Sequence, residues 1–217
     1  MNNKEIIQNT IVFVKETLKN AEGGHDWFHI ERVYKNALLI ADQENVDLFT
    51  VQLAALLHDI ADSKFHNGDE TLGPKIAKEF LRKENVPEEI IKHIVSIIEN
   101  ISFKGGNFKN TFDSKELKVV QDADRLDAIG AIGIARCFNY GGFKERPMYD
   151  PEKTPDLHMT KEEYKNSSAP SINHFYEKLL LLKDKMNTKT GHQIATDRHL
   201  FMEQFLNQFY REWEGVK

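Results

Sequence analysis

The chain has 217 residues, of which 40% are apolar and 29% are charged, a balance typical of a soluble globular protein. Its formal net charge of −5 argues against broad nucleic-acid binding, because such binding needs a basic surface. Cys137 is the only cysteine, the N-terminus is polar, and no apolar run approaches the ~18 residues needed to span a membrane. We therefore expect a cytoplasmic protein without disulfides or a membrane span.

Helical periodicity dominates the chain. Apolar residues at intervals of three and four predict helices over about 6–18, 30–40, 47–58, 73–84, 87–101, 114–138, 171–187 and 190–213. The segment 47–58 is apolar on nearly all sides, as expected for a helix at the centre of a bundle. No stretch shows the sustained alternation of a strand. The predicted fold class is all-α, with residues 1–217 in one domain.

Residues 139–170 form the predicted interruption of these helices. Four of the six prolines lie here, together with two adjacent glycines: Gly141, Gly142, Pro147, Pro151, Pro155 and Pro170. Irregular segments of this length are unusual in a compact domain and are often functional. Two alternatives stay open, a disordered surface connection or, as its aromatic residues favour, a loop that packs onto other elements.

The pair His58-Asp59, at the end of the apolar segment 51–57, is the most informative feature of the sequence. An imidazole and a carboxylate are costly to bury without partners, and a divalent metal removes that cost because both are its ordinary ligands. Two further candidates are His29, in Gly-His-Asp-Trp-Phe-His, and Asp124, in Gln-Asp-Ala-Asp-Arg-Leu-Asp. Acidic residues are also common in the first turn of a helix, an alternative that explains Asp122, in the same acidic segment, better than it explains Asp124.

The order His…His-Asp…Asp resembles that of the HD superfamily of metal-dependent phosphohydrolases. The segment His25-Asp26-x-x-His29-x-x-Arg32-Val33 is similar to the entry motif of that superfamily, in which the second histidine is the ligand. The resemblance implies an HD-domain helical bundle, with the long irregular loop before the C-terminal helix pair. It also implies one divalent metal ion held by His29, His58, Asp59 and Asp124.

Other side chains near these motifs are candidates for catalysis and phosphate binding. By resemblance, Asp62 orients or deprotonates the attacking water, although many members carry Glu there. The resemblance also implies that His25 faces the phosphate or supports a ligand, and that Asp127 orients a ligand or a substrate hydroxyl. The remaining candidates for substrate contact are basic side chains, namely Arg32, Lys64, His66 and Lys104. Plainer alternatives stay open: a surface carboxylate for Asp62, solvated loop residues for Lys64 and His66, and a helix-ending cation for Lys104.

Mixed nitrogen and oxygen ligation without thiolate fits Mn²⁺, Ni²⁺, Co²⁺, Fe²⁺ or Mg²⁺. Two histidines and two aspartates leave positions on a six-coordinate ion for water and a phosphate oxygen, as phosphoester or phosphoanhydride hydrolysis requires. A second ion, bound with the help of His93, is the less favoured alternative.

The C-terminal tail, with Arg198-His199 and Glu212-Trp213-x-Gly215, resembles a small bacterial HD subgroup of nucleotide pyrophosphohydrolases. The resemblance implies a small-molecule substrate, a nucleoside or deoxynucleoside triphosphate cleaved to monophosphate and diphosphate. We expect a monomer or homodimer. Alternatives are a nucleotide phosphatase or phosphodiesterase at the same site, and a non-catalytic nucleotide-sensing module. The filled ligand positions and Asp62 argue against the non-catalytic alternative.

Overall fold

The computed structural model describes residues 2–19, 21, 24, 26–61, 69–101, 112–160, 163 and 167–216. Within these ranges the chain forms α-helices, two short 3₁₀ turns and no strand, which confirms the all-α prediction. Among the described residues no helix is both long and apolar enough to span a membrane. The chain divides into two compact units, residues 1–124 and 125–217. A single domain over 1–217 stays a prediction.

The first unit is built around one largely buried helix, α3. Its helices are α1 (Asn3–Thr17), α2 (Trp27–Ala41), α3 (Leu48–Leu57), α4 (Leu72–Lys83), α5 (Glu88–Asn100) and α6 (Lys115–Asp127), the last three residues of α6 belonging to the second unit. Seven of the ten residues of α3 are buried. The helix contacts α1, α2 and α5, which agrees with the central place predicted from its apolar sequence.

Short polar side chains fix where the first three helices begin. Asn2, Asp26 and Asp47 precede α1, α2 and α3, and each accepts a hydrogen bond from a backbone N–H of the first turn. Such caps satisfy amide groups that have no partner within the helix. Because α2 begins at Trp27 and α3 ends at Leu57, His29 lies in a first turn and His58 directly follows a last turn.

Side-chain hydrogen bonds attach α6 to the rest of the first unit along its length. Glu116 accepts from the backbone N–H of Asp47 at 3.0 Å. Five residues later, Gln121 Nε2 donates to the carbonyl of Asn100 at 3.0 Å. Asn36 Nδ2, from α2, donates to the carbonyl of Ala123 at 3.2 Å. These bonds fix the position of α6 along its axis relative to the other helices of the first unit, and therefore the position of Asp124.

The second unit contains α7 (Gly130–Phe143), α8 (Ser171–Glu177), 3₁₀ turns at Leu179–Leu181 and Lys183–Lys185, and α9 (Lys189–Trp213). Helix α7 contacts both α8 and α9. Phe138, Phe175 and Phe205 lie at the centre of this arrangement, with ring centroids 5.9 to 6.1 Å apart. Aromatic pairs at this spacing contribute packing energy beyond their buried area.

The helix predicted over 114–138 is interrupted, and the continuous prediction is wrong there. Ile129 is extended (φ −127°, ψ 168°) and Gly130 has φ of 74°, a conformation that favours glycine. A Cβ at Gly133 would collide with the backbone oxygen of Ala128. The apolar and small residues keep a helical spacing across this break, so periodicity alone could not reveal it.

The helix predicted over 171–187 is also shorter than expected, because α8 ends at Glu177. Lys178 leaves helical geometry, with φ −145° and ψ −57°. The leucines that follow form a 3₁₀ turn in which Leu179 is buried, and Leu182 after it is buried as well. Leucines can be buried in a 3₁₀ turn as well as in an α-helix. The apolar pattern of this segment therefore did not distinguish the two and suggested a continuing α-helix.

The irregular segment packs onto the second unit where it is described. Helix α7 extends into its start, as far as Phe143. The carbonyls of Pro147 and Met148 accept hydrogen bonds from the first residues of α8, at 2.9 and 3.1 Å. The ring of Tyr149 lies edge-on to Trp213, with centroids 4.9 Å apart. Among the two alternatives, these contacts favour a packed loop for the described residues.

Candidate metal centre

His29 is positioned by the cap of α2. Asp26 Oδ1 accepts a hydrogen bond from the backbone N–H of His29 at 3.0 Å, which fixes the first turn. His29 is 3% exposed and the following Ile30 is fully buried. A buried imidazole at a fixed helix start is held far more precisely than one on a mobile loop.

His58 is oriented by its own helix. Its Nδ1 lies 2.8 Å from the backbone oxygen of Ala55. A carbonyl only accepts hydrogen bonds, so Nδ1 carries the hydrogen and Nε2 of the neutral ring keeps its lone pair. Metal-binding histidines are commonly oriented by a bond of this kind to a backbone carbonyl.

The structure brings the four predicted ligands together in the first unit, and we call them the His-Asp cluster: His29, His58, Asp59 and Asp124. The two rings are 5.4 Å apart between centroids and inclined at 66°. Asp124 Oδ1 lies 3.6 Å from His29 Nε2 and 4.0 Å from His58 Nε2. One ligand atom each from His29, His58 and Asp59 lie within 4.8 Å of one another.

These separations suit a shared cation better than direct hydrogen bonds. Distances of 3.6 and 4.0 Å between the imidazole nitrogens and the carboxylate are too long for hydrogen bonds. Ligand atoms that surround one six-coordinate ion with bonds of about 2.1 Å lie roughly 3 to 4 Å apart. With His58 Nε2 carrying a lone pair, the donor set of imidazole nitrogen and carboxylate oxygen fits a divalent metal ion.

The His-Asp cluster is enclosed on its histidine side and open on its carboxylate side. The side chains of His29 and His58 are each 4% exposed, whereas the side chain of Asp124 is 43% exposed. Asp59 is partly buried.

Several predicted residues lie outside the described ranges, namely His25, Asp62, Lys64, His66 and Lys104. Their predicted roles in catalysis and substrate binding stay predictions. Arg32 is described, half-buried on α2 and three residues after His29. On a helix, residues three apart share a face, so the position of Arg32 is compatible with the predicted substrate contact.

Asp127, another predicted substrate contact, is buried and paired. Its side chain is 1% exposed and its Oδ2 accepts a hydrogen bond from Nη1 of Arg136. The backbone oxygen of Asp127 accepts from the same nitrogen at 3.3 Å. The structure thus gives Asp127 an internal cationic partner, and its predicted contact with substrate stays untested.

Two buried polar residues near the cluster are not marked by any motif. Asp122 is completely buried in α6, seven residues after the helix begins, so the alternative of an acidic first turn does not explain it. Asn36 is buried on α2 and bonds to the carbonyl of Ala123. The available signal for Asn36 was a polar residue on an otherwise apolar helix face, at helical spacing from His29.

Comparison with known proteins agrees with this site. The family model described as HD domain matches residues 27–129, a range that includes the whole His-Asp cluster. The YpgQ protein of Bacillus subtilis is 37% identical over 207 residues, which cover 94% of this chain and 92% of YpgQ.

Solved structures are similar over nearly the full length. An HD-superfamily hydrolase from Bacillus thuringiensis has a TM-score of 0.80 and 47% identity, covering 98% of this chain and 99% of that one. Bacillus subtilis YpgQ in complex with ADP has a TM-score of 0.76 and 33% identity, covering 98% of this chain and 97% of that one.

Proposed function

This chain belongs to the HD superfamily of metal-dependent phosphohydrolases, and we propose that it hydrolyses a phosphoanhydride bond of a nucleotide. The observation that carries the choice of a nucleotide is the structure of the relative YpgQ with ADP. That relative aligns with 98% of this chain, so a nucleotide site is expected to be shared. The favoured reaction converts a nucleoside or deoxynucleoside triphosphate to monophosphate and diphosphate.

The reaction begins with attack of water on the first phosphorus of the triphosphate. A new bond forms between the water oxygen and that phosphorus, while the bond from the phosphorus to the bridging oxygen breaks. The electron pair of the broken bond leaves with diphosphate. A divalent ion held by the His-Asp cluster, with Mn²⁺, Ni²⁺, Co²⁺, Fe²⁺ and Mg²⁺ as candidates, would supply Lewis acidity for this step.

The side chains of the protein divide the remaining work. The carbonyl of Ala55 keeps the hydrogen of His58 on Nδ1. The lone pair of Nε2 can therefore bind a metal ion without loss of a proton. Asp62 takes a proton from the attacking water. The cations Arg32, Lys64 and Lys104, with His25 and His66, bind the phosphates, because the net charge of −5 cannot attract a triphosphate without local positive groups.

The experiment is a nucleotide screen with identification of both products. The protein is incubated with each of the candidate ions and with triphosphates, ADP, AMP and cyclic nucleotides, in water enriched in ¹⁸O. We expect equal amounts of monophosphate and diphosphate, with ¹⁸O in the monophosphate. Release of single phosphate would favour a phosphatase, and opening of a cyclic nucleotide a phosphodiesterase. Nucleotide binding without turnover would indicate a sensing module.

A matched variant separates catalysis from metal binding in the same screen. Asp62→Asn keeps the shape of the side chain but accepts a proton poorly, so we expect normal Mn²⁺ binding with a rate lowered about 10²- to 10⁴-fold. Lys64→Ala and Lys104→Ala should each raise KM for a triphosphate roughly tenfold. An Asp62→Asn enzyme with a normal rate would remove Asp62 from the proposed mechanism.

A further inference from the structure

One face of α2 combines an apolar stripe with a single buried amide. Residues His29, Val33, Asn36 and Ile40 follow one another at spacings of four, three and four, and so share this face. Val33 and Ile40 are completely buried, and Asn36 is 9% exposed. A Leu at residue 36 would match the stripe without introducing a polar group, so the amide has a cost that its hydrogen bonds must offset.

The side-chain amide of Asn36 forms a hydrogen bond to the residue that precedes a predicted metal ligand. Its Nδ2 donates to the carbonyl of Ala123 at 3.2 Å, across 87 positions of sequence. Asp124 is the next residue of α6. The bond therefore links the helix that carries His29 to the helix that carries Asp124, inside the first unit.

The histidines of the His-Asp cluster have local supports, whereas the long-range bond from Asn36 is made at the residue next to Asp124. Asp26 fixes the start of the helix at His29, and Ala55 fixes the ring of His58. Each support comes from within three residues. Asp124 lies near the end of α6 with 43% of its side chain exposed. The residue before it, Ala123, accepts the hydrogen bond from Asn36.

We infer that Asn36 is a positioning residue, whose bond to the Ala123 carbonyl holds the Asp124 carboxylate at the correct distance from His29 for metal binding. This inference rests on the metal-dependent reaction of the proposed function. Groups that orient ligands without touching the ion typically change metal affinity about 10- to 100-fold when they are removed. Asn36 therefore controls affinity for the ion as well as helix packing.

The test compares two Asn→Leu substitutions by Mn²⁺ titration. Electron paramagnetic resonance measures the concentration of free Mn²⁺ at each step. Asn36→Leu removes the amide at the site. Asn9→Leu removes a different side-chain hydrogen bond between elements of the first unit, the 2.7 Å bond from Asn9 Nδ2 to Glu84 Oε2. We expect the Mn²⁺ dissociation constant to rise about 10- to 100-fold in Asn36→Leu and to stay unchanged in Asn9→Leu.

Thermal unfolding identifies a merely structural role. Both variants should unfold at lower temperature, so a loss of Mn²⁺ affinity in Asn36→Leu alone, measured well below that temperature, supports positioning. Should the leucine prevent folding, Asn36→Ala provides the same comparison with a smaller side chain. Equal affinity in the wild type and a folded Asn36 variant overturns the inference.

The outcome is separable from that of the proposed function. Mn²⁺ titration needs no nucleotide, so weak binding in Asn36→Leu supports positioning even if the wild type hydrolyses no nucleotide. Conversely, a wild type that cleaves triphosphates while Asn36→Leu binds Mn²⁺ normally refutes only the role of Asn36. Absence of Mn²⁺ binding by the wild type overturns the inference together with its metal site.

Discussion

Two of the three aspartates of helix α6, Asp124 and Asp127, lie three residues apart and have opposite surroundings. Asp124, in the first unit, is 43% exposed and lies 3.6 and 4.0 Å from two imidazole nitrogens. Asp127, in the second unit, is 1% exposed and accepts a hydrogen bond from the guanidinium of Arg136. An imidazole can be neutral, whereas a guanidinium keeps its charge. Asp127 therefore has a permanent cation in the protein, while Asp124 is suited to receive one from outside.

The surroundings of Asp127 also stabilise the end of a helix. Arg198 Nη1 donates to the backbone oxygen of Leu126 at 2.5 Å, and the last carbonyls of a helix need such partners. Burial lowers the pKa of Arg198, while the charge of Asp127 acts in the opposite direction. In the second unit the charges thus stabilise structure, whereas the His-Asp cluster offers ligands.

The comparison is tested most strongly at Asp124. Asp124→Asn should abolish turnover and weaken Mn²⁺ binding more than the roughly 100-fold upper range seen for groups that only support a ligand. The free energy of unfolding of the metal-free protein should change by less than about 1 kcal/mol, because 43% of the side chain is exposed and no hydrogen bond joins it to the two imidazoles. Calorimetric Mn²⁺ titration and urea unfolding measure the two effects. Full metal occupancy in Asp124→Asn, or in His58→Ala, would contradict the ligand assignment.

Asp127 should show the reverse behaviour. Asp127→Asn leaves the partly buried guanidinium of Arg136 without its counter-charge, and we expect the free energy of unfolding to fall by about 3 kcal/mol. The control is Asp113→Asn, which breaks an exposed pair with Lys118 and should cost less than about 1 kcal/mol. Urea unfolding gives both values. A stable Asp127→Asn protein with a raised KM for nucleotide would favour the predicted substrate contact instead.

The sequence motifs predicted the His-Asp cluster well because its histidines are fixed locally. His29 follows a capping Asp26, and His58 follows an apolar helix, so each position can be recognised within a few residues. The bond from Asn36 to Ala123 joins positions 87 residues apart. No local pattern reports such a partner, and the sequence therefore predicted which residues come together but not the bond beside Asp124.

The helices were predictable where apolar periodicity and packing agree, as in α3. They were not predictable where periodicity continues through a break. The alanines before and after Ile129 keep a helical spacing, yet Gly130 adopts φ of 74° and α7 begins anew. The reason is tertiary: the stem of Arg198 passes close to Gly130, leaving little room for a side chain.

A substitution at Gly130 tests whether the side chain of Arg198 leaves no room for a Cβ at this position. A Cβ there would lie 3.0 Å from Cβ and Cγ of Arg198, and the positive φ adds backbone strain. We expect Gly130→Ala to lower the free energy of unfolding by about 2 kcal/mol. Gly142, in the same helix, has nothing within 4 Å of an added Cβ. Gly142→Ala should therefore stabilise by about 0.5 kcal/mol. Equal effects of the two substitutions in chemical denaturation would argue against the close approach.

A pH-dependent effect is expected from a histidine whose charged form is disfavoured. In the second unit, burial first, and then the positive charges of Lys178 and Arg146, lower the pKa of His174 to about 3. The unfolded chain binds a proton at His174 near pH 6.5 and the folded chain does not. The free energy of unfolding should therefore fall as pH drops below 6.5, until His174 also titrates in the folded state near pH 3.

The size of this effect follows from linkage. Between pH 7 and pH 5.5, His174 should remove about 1 kcal/mol of stability, because only the unfolded state gains the proton. Urea unfolding of the wild type and of His174→Gln at both pH values isolates this contribution, since other titrating groups are common to the two proteins. If the two proteins lose the same stability, His174 is protonated in the folded state too, and the second unit tolerates a charged imidazole after all.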